Sequence, residues 1–160
     1  MKMARQEARV TPKQESESLM DEMLPFAKHM LDSYGAFPPF GGLIKMDEQI
    51  VLLGAGSGDE LPPRGNLVDV LSNGFRARAL TGEIRAAAIV AQVTVPLSGQ
   101  GSRWEMEGEV DAVRISLDHH EGYAVHVFFP YRKDGTMVTF AKPFASPGTS
   151  FAFRGEAFPA

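Results

Sequence analysis

Apolar residues recur at helical spacing along the first part of the chain. Leu19, Met20, Met23, Leu24, Ala27, Met30, Leu31 and Tyr34 share one side of a 3.6-residue period, which predicts an amphipathic helix with one buried stripe. Thr11-Pro12-Lys13-Gln14 has the form of a capping box with proline at the first helical position, so the helix starts there. Gly35 supplies a stop, and Pro25 predicts a kink or a break inside. After the connector Phe37-Pro38-Pro39-Phe40-Gly41-Gly42, Leu43–Met46 and Ile50–Gly54 read as short strands about the turn Asp47-Glu48. Ala55 to Gly65 is rich in Gly, Pro and acid and reads as a loop. Asn66 is a suitable N-cap for a second helix that buries Leu67, Val70, Leu71, Phe75 and Ala79 and closes at Gly82. Gly74 within it predicts close packing on the sheet.

The remaining pattern is that of strands. Ile84 to Val95 is apolar on both faces over Ala86–Val90, which places it centrally. Val113, Ile115 and Leu117 alternate with Arg114, Ser116 and Asp118, and Tyr123, Val125, Val127 and Phe129 alternate with Ala124, His126 and Phe128. A loop His120-Glu121-Gly122, with glycine left-handed, pairs Leu117 with Val125, Ile115 with Val127 and Val113 with Phe129. All the apolar partners then share one face, and a one-residue slip would scatter them. The same loop type at Lys133-Asp134-Gly135 pairs Tyr131 with Met137. The tail holds several prolines and phenylalanines, with Phe151 and Phe153 on one face of a short last strand, packed on the body or on a partner. The expected architecture is α+β and two-layer. A mostly antiparallel sheet of five to six strands ends in a β-meander, with two helices on one face, in the order α-β-β-α-β-β-β-β.

Composition narrows the class. The chain has 160 residues, 44% hydrophobic and 22% charged, which fits a single domain over 11–160 behind a flexible N-terminus, residues 1–10. A net charge of −4 speaks against nucleic acid as a partner, since phosphates need a basic face. No cysteine is present, which removes disulfides, thiolate metal sites and cysteine nucleophiles. Met1 to Gln14 has no apolar core of a signal peptide, and no run reaches the length of a membrane span, so the expected compartment is the cytoplasm.

Candidate chemistry lies in the meander. His126 falls opposite Ser116, with Arg114 and Asp118 on the same face. These residue types suit ligand binding, and the bland alternative is a polar sheet face. No G-x-S-x-G elbow accompanies the serine, which argues against a nucleophile. His119, His120 and Glu121 carry metal-ligand types for a divalent cation, but adjacent strand histidines point to opposite faces and H-E-x-x-H spacing is absent. The alternative there is a polar hairpin tip, and no other cofactor is expected. Gly54-Ala55-Gly56-Ser57-Gly58 lacks a Walker lysine and is followed by Asp59-Glu60, so it reads as a loop rather than a phosphate site. Arg76, Arg78 and Arg85 surround the end of the second helix, as an acidic-ligand cluster or as a helix end complementing its dipole. Trp104 reads as an interface anchor or a cap on the core edge.

By arrangement, Phe37 to Val95 resembles the opening hairpin, helix and strand of the cytidine-deaminase-like fold. The zinc cysteines that this resemblance would require are missing, so its chemistry is not implied. The helix–hairpin–helix–meander order also resembles roadblock- and profilin-type interaction domains. The functional expectation is a non-catalytic ligand- or protein-binding domain that self-associates, as a homo-oligomer or with a protein partner and without a membrane. The alternative is a metal-assisted or acid–base enzyme using the meander histidines.

Overall fold

The computed structural model describes residues 10–54, 64–97 and 108–153. Helix α1 spans Pro12–Tyr34, and its capping box is formed in both directions. Gln14 N–H donates to Thr11 Oγ1 at 3.1 Å and Thr11 N–H to Gln14 Oε1 at 2.9 Å. Gly35 closes the helix at φ 78° and donates to Leu31 O. The helix runs through Pro25 rather than breaking there. Pro25 lies on the exposed side, where water reaches the carbonyl left without a donor.

The strands β1 (Phe40–Lys45) and β2 (Ile50–Gly54) precede helix α2 (Arg64–Leu80). After it come β3 (Ile84–Leu97), β4 (Gly108–His119), β5 (Tyr123–Asp134), β6 (Met137–Phe140) and β7 (Phe144–Pro147). They make one antiparallel seven-stranded sheet in the order β2-β1-β3-β4-β5-β6, with β7 also on β5. The α+β class and element order are those expected, with one strand added. β7 lies upstream of the segment expected to form the last strand. β6 and β7 follow one another along the same side of β5, the first beside Tyr131–Asp134 and the second beside Val125–Phe128.

The layering differs from the two-layer expectation. On one face, Leu19, Met23, Ala27 and Leu31 of α1 pack on Ala86, Ala88, Val90, Val113, Ile115 and Leu117. On the other, Leu71 and Phe75 of α2 pack with Leu43, Ala87, Ile89 and Phe151. The helices therefore cover opposite faces. The cause is β3 itself: a strand apolar on both sides needs cover on both. Neighbouring glycines of β1 permit the close approach. A Cβ on Gly41 would sit 2.7 Å from Ala88 O and 2.9 Å from Phe75, and one on Gly42 would sit 2.5 Å from Met23 Cε.

The β4–β5 register is the expected one, with Leu117 on Val125, Ile115 on Val127 and Val113 on Phe129. Gly122 takes φ 96° in the turn. The next hairpin departs from expectation, because Tyr131 pairs with Phe140 and Asp134 with Met137. β5 runs through Asp134, leaving only Gly135 and Thr136 to turn. This buries Val138 at 2% exposure and leaves Met137 outside at 57%, so core filling selects the register. Around α2, the helix starts at Arg64, ahead of the expected cap Asn66. Val70 is exposed, and a Cβ on Gly74 would meet nothing within 4 Å, so this glycine marks no close packing.

Candidate functional site

β4 and β5 alternate in and out, which turns Arg114, Ser116 and Asp118 of β4 and His126 of β5 to the α2 side of the sheet. Ser116 and His126 are direct cross-strand partners. Ser116 Oγ lies 2.7 Å from His126 Nδ1, and Ser116 is buried. Burial, and secondarily the Arg114 guanidinium, hold the His126 pKa below its ordinary 6.5. The imidazole is therefore neutral at neutral pH. Arg114 sits opposite Phe128, and burial lowers its pKa as well. Phe128 stacks on Phe144 of β7, with centroids 5.1 Å apart.

Asp118 does not join that pair. Its Oδ2 accepts from Ser150 Oγ at 2.7 Å and from the backbone N–H groups of Phe151, Ala152 and Phe153 at 3.0, 2.9 and 3.2 Å. Three successive amides curl around one oxygen, an anion nest filled by the protein's own carboxylate. This anchors the tail and carries Phe151 into the α2-side core. Of the four residues expected on this face, two are bonded to one another, Arg114 lies beside them, and Asp118 is a structural anchor. A serine this buried, whose histidine has no bond to Asp118, is not presented to a substrate as a nucleophile.

His119, His120 and Glu121 lie at the β4–β5 turn. His119 is buried on the α1 side. Its Nε2 is 2.6 Å from Glu15 Oε1, and its Nδ1 accepts the Glu121 N–H at 3.1 Å. An amide can only donate, so Nδ1 carries the lone pair and Nε2 the proton. His119 is thus a neutral donor to Glu15, and the contact is a hydrogen bond rather than an ion pair. Arg85 completes the cluster, with Nε 3.2 Å from Glu15 Oε1 and a terminal nitrogen 2.9 Å from Oε2. Burial acts to raise the Glu15 pKa, but the hydrogen bonds from His119 and Arg85 outweigh it and hold the group below its ordinary 4.5. His120 stacks on His119 with ring centroids 4.9 Å apart. Both His119 nitrogens are committed, so the three residues do not converge on one ion as the metal reading required. Among the described residues no group of three His, Asp or Glu side chains has an arrangement that could hold a metal ion.

The three arginines near the end of α2 also part company. Arg76 donates to Phe151 O at 3.2 Å and to Asn73, while Arg85 is committed to Glu15. Arg78 lines a groove of about 480 Å³ with Leu43, Val51 and Ile84 as its apolar lining and Lys45 and Glu83 also on its border. Trp104 and the glycine run beyond Gly54 lie outside the described residues. Sequence reasoning missed Glu15 and Ser150. Glu15 lies 104 residues from His119, and no local pattern links them. Comparison with protein-family models, with curated proteins and with solved structures finds no match to this chain.

Proposed function

We propose that this chain is a non-catalytic binding domain that works by associating with another polypeptide, its own copy included. The observation that carries this reading is the side of β2 that no described strand pairs. Ile50–Gly54 pairs with β1 alone among the described residues, bears no charge and no proline, and exposes Leu52 at 41%. Such an edge is a template for another strand. The polar groups that chemistry would use support the same reading, because Asp118 and His119 are consumed in holding the fold. No described helix is long and apolar enough to cross a membrane. Light scattering of the full chain over a concentration series tests the self-associating form. A mass above that of one 17.4 kDa chain, rising with concentration, is the expected result, and one chain per particle at every soluble concentration refutes it.

A second reading, a metal-free acid–base enzyme, rests on the 2.7 Å contact of Ser116 with a neutral His126. It requires any hydrolytic or proton-transfer activity found in the purified protein to vanish in both Ser116→Ala and His126→Gln while folding persists. Activity surviving either change removes it.

A further inference from the structure

The two edges of the sheet are built differently. On the β5 side, the edge is split into two four-residue strands, β6 and β7, separated by Ala141-Lys142-Pro143 and ended by Pro147. Short pieces, a lysine and prolines are the devices that stop a sheet from growing. β2 is also short, at five residues, but it is unbroken and carries neither lysine nor proline. We propose that β2 pairs antiparallel with β2 of a second copy about a two-fold axis at Leu52, making one continuous sheet through the dimer. This rests on the association reading above and names its partner and register.

The register follows from the hydrogen-bond phase of the β1–β2 hairpin. Lys45 N–H donates to Gln49 O at 2.8 Å, and Glu48, at φ 76°, donates to Lys45 O at 2.8 Å. That closure makes the pair Leu43–Val51, and then Gly41–Leu53, the ones that exchange backbone bonds. The N–H and C=O groups of Ile50, Leu52 and Gly54 therefore point away from β1. These positions are symmetric about Leu52. Antiparallel pairing centred there sets Leu52 against its copy and Ile50 against Gly54 of the copy, and closes about six backbone bonds. Centring on Val51 or Leu53 closes only about four.

The side chains agree with that register. Val51 meets Leu53 of the copy on the α2 side, and Leu52 meets Leu52 on the α1 side, with no charge opposed to charge. Gly54, exposed and without a side chain, is the β1 partner of Phe40. Phe26, 40% exposed, packs edge-on against Phe40 at 5.0 Å. In this register the copy's Ile50 is set against Gly54, where no side chain opposes it. A second copy is thus a better occupant than an arbitrary strand, because the same five residues supply both halves of a matched pair.

The absence of cysteine allows a direct test by single introduced thiols in the full chain. Leu52→Cys is expected to oxidise to a disulfide-linked dimer, since directly opposed residues fall within disulfide reach. Val51→Cys and Leu53→Cys are each expected to cross-link poorly alone and efficiently when mixed. Leu52→Lys is expected to convert the native dimer to a monomer in light scattering while circular dichroism stays native. If the native chain is a dimer that survives Leu52→Lys and gives no register-specific cross-links, the β2 pairing is overturned while the association reading stands. If the native chain is monomeric throughout, the two-fold pairing and the self-associating form of the reading both fall. If Leu52→Lys abolishes binding of a different protein but the chain never pairs with itself, the edge takes a foreign strand and the two-fold pairing is overturned.

Discussion

Asp118→Ala removes the acceptor around which Ser150, Phe151, Ala152 and Phe153 are gathered. Two responses are open to the protein. If the tail stays in place, buried amides lose their partner at about 1–3 kcal/mol each. If the tail lifts away, water satisfies the amides, but Phe151, 0% exposed, leaves the core it shares with Phe75 and Ile89. Losing a buried phenylalanine costs about 3–5 kcal/mol. The cheaper response sets the loss, so a destabilisation of about 3 kcal/mol is expected, or roughly 6–12 °C in Tm for a domain of this size. Urea unfolding measures it. A double-mutant cycle with Phe151→Ala separates the two responses. Phe151→Ala alone is expected to cost about 3–5 kcal/mol, and the double variant well under the sum, because a tail already released has no phenylalanine burial left to lose. The reasoning fails if Asp118→Ala costs less than about 0.5 kcal/mol, or if the two losses add to within that margin.

Glu15→Ala leaves buried His119 and half-buried Arg85 without their shared acceptor and is expected to lower stability by about 1–3 kcal/mol in urea unfolding. His126 has a lowered pKa in the fold, so below pH 6.5 the unfolded chain takes up the proton first. Its contribution is complete above that pH and is lost as pH falls toward the lowered value. A pH series of unfolding free energies should therefore slope less in this window for His126→Gln than for the native chain. Gly41→Ala is expected to destabilise more than Gly42→Ala, by about 1–3 kcal/mol. The first Cβ would sit 2.7 Å from a backbone carbonyl, whereas the second overlaps the movable end of Met23 and lies farther, 3.2 Å, from Val51 O, and thermal melts of the two variants rank them.

Legibility followed the range over which a residue's role is decided. α1 could be read because its cap, stripe and glycine stop lie within the helix, and the β4–β5 register because one glycine turn and two alternating strands determine it. The β5–β6 hairpin is not legible, because Gly135 fits more than one loop length and only the burial of Val138 under α1 distinguishes them. The two-face apolarity of Ala86–Val90 is visible in the sequence, but the placing of one helix on each side is decided by packing partners distant along the chain. On the polar face the Ser116–His126 pair followed from register. The diversion of Asp118 to the tail did not, since it depends on backbone amides more than 30 residues away, where the sequence shows only an ordinary Ser-Phe-Ala-Phe.

The bond between Glu15 and His119 spans 104 residues, and this bears on how the chain leaves the ribosome. At about 5–20 residues per second, roughly 5–20 s separate the two. In that interval α1 lacks most of the surface it lies on, because Ala86, Ala88, Val90, Val113, Ile115 and Leu117 beneath it are all made later. A capped helix with Leu19, Met23, Ala27 and Leu31 facing water is thus made before the sheet that covers it. Slowing translation before Ala86 should lengthen its dependence on a chaperone, whereas slowing it beyond His119 should not.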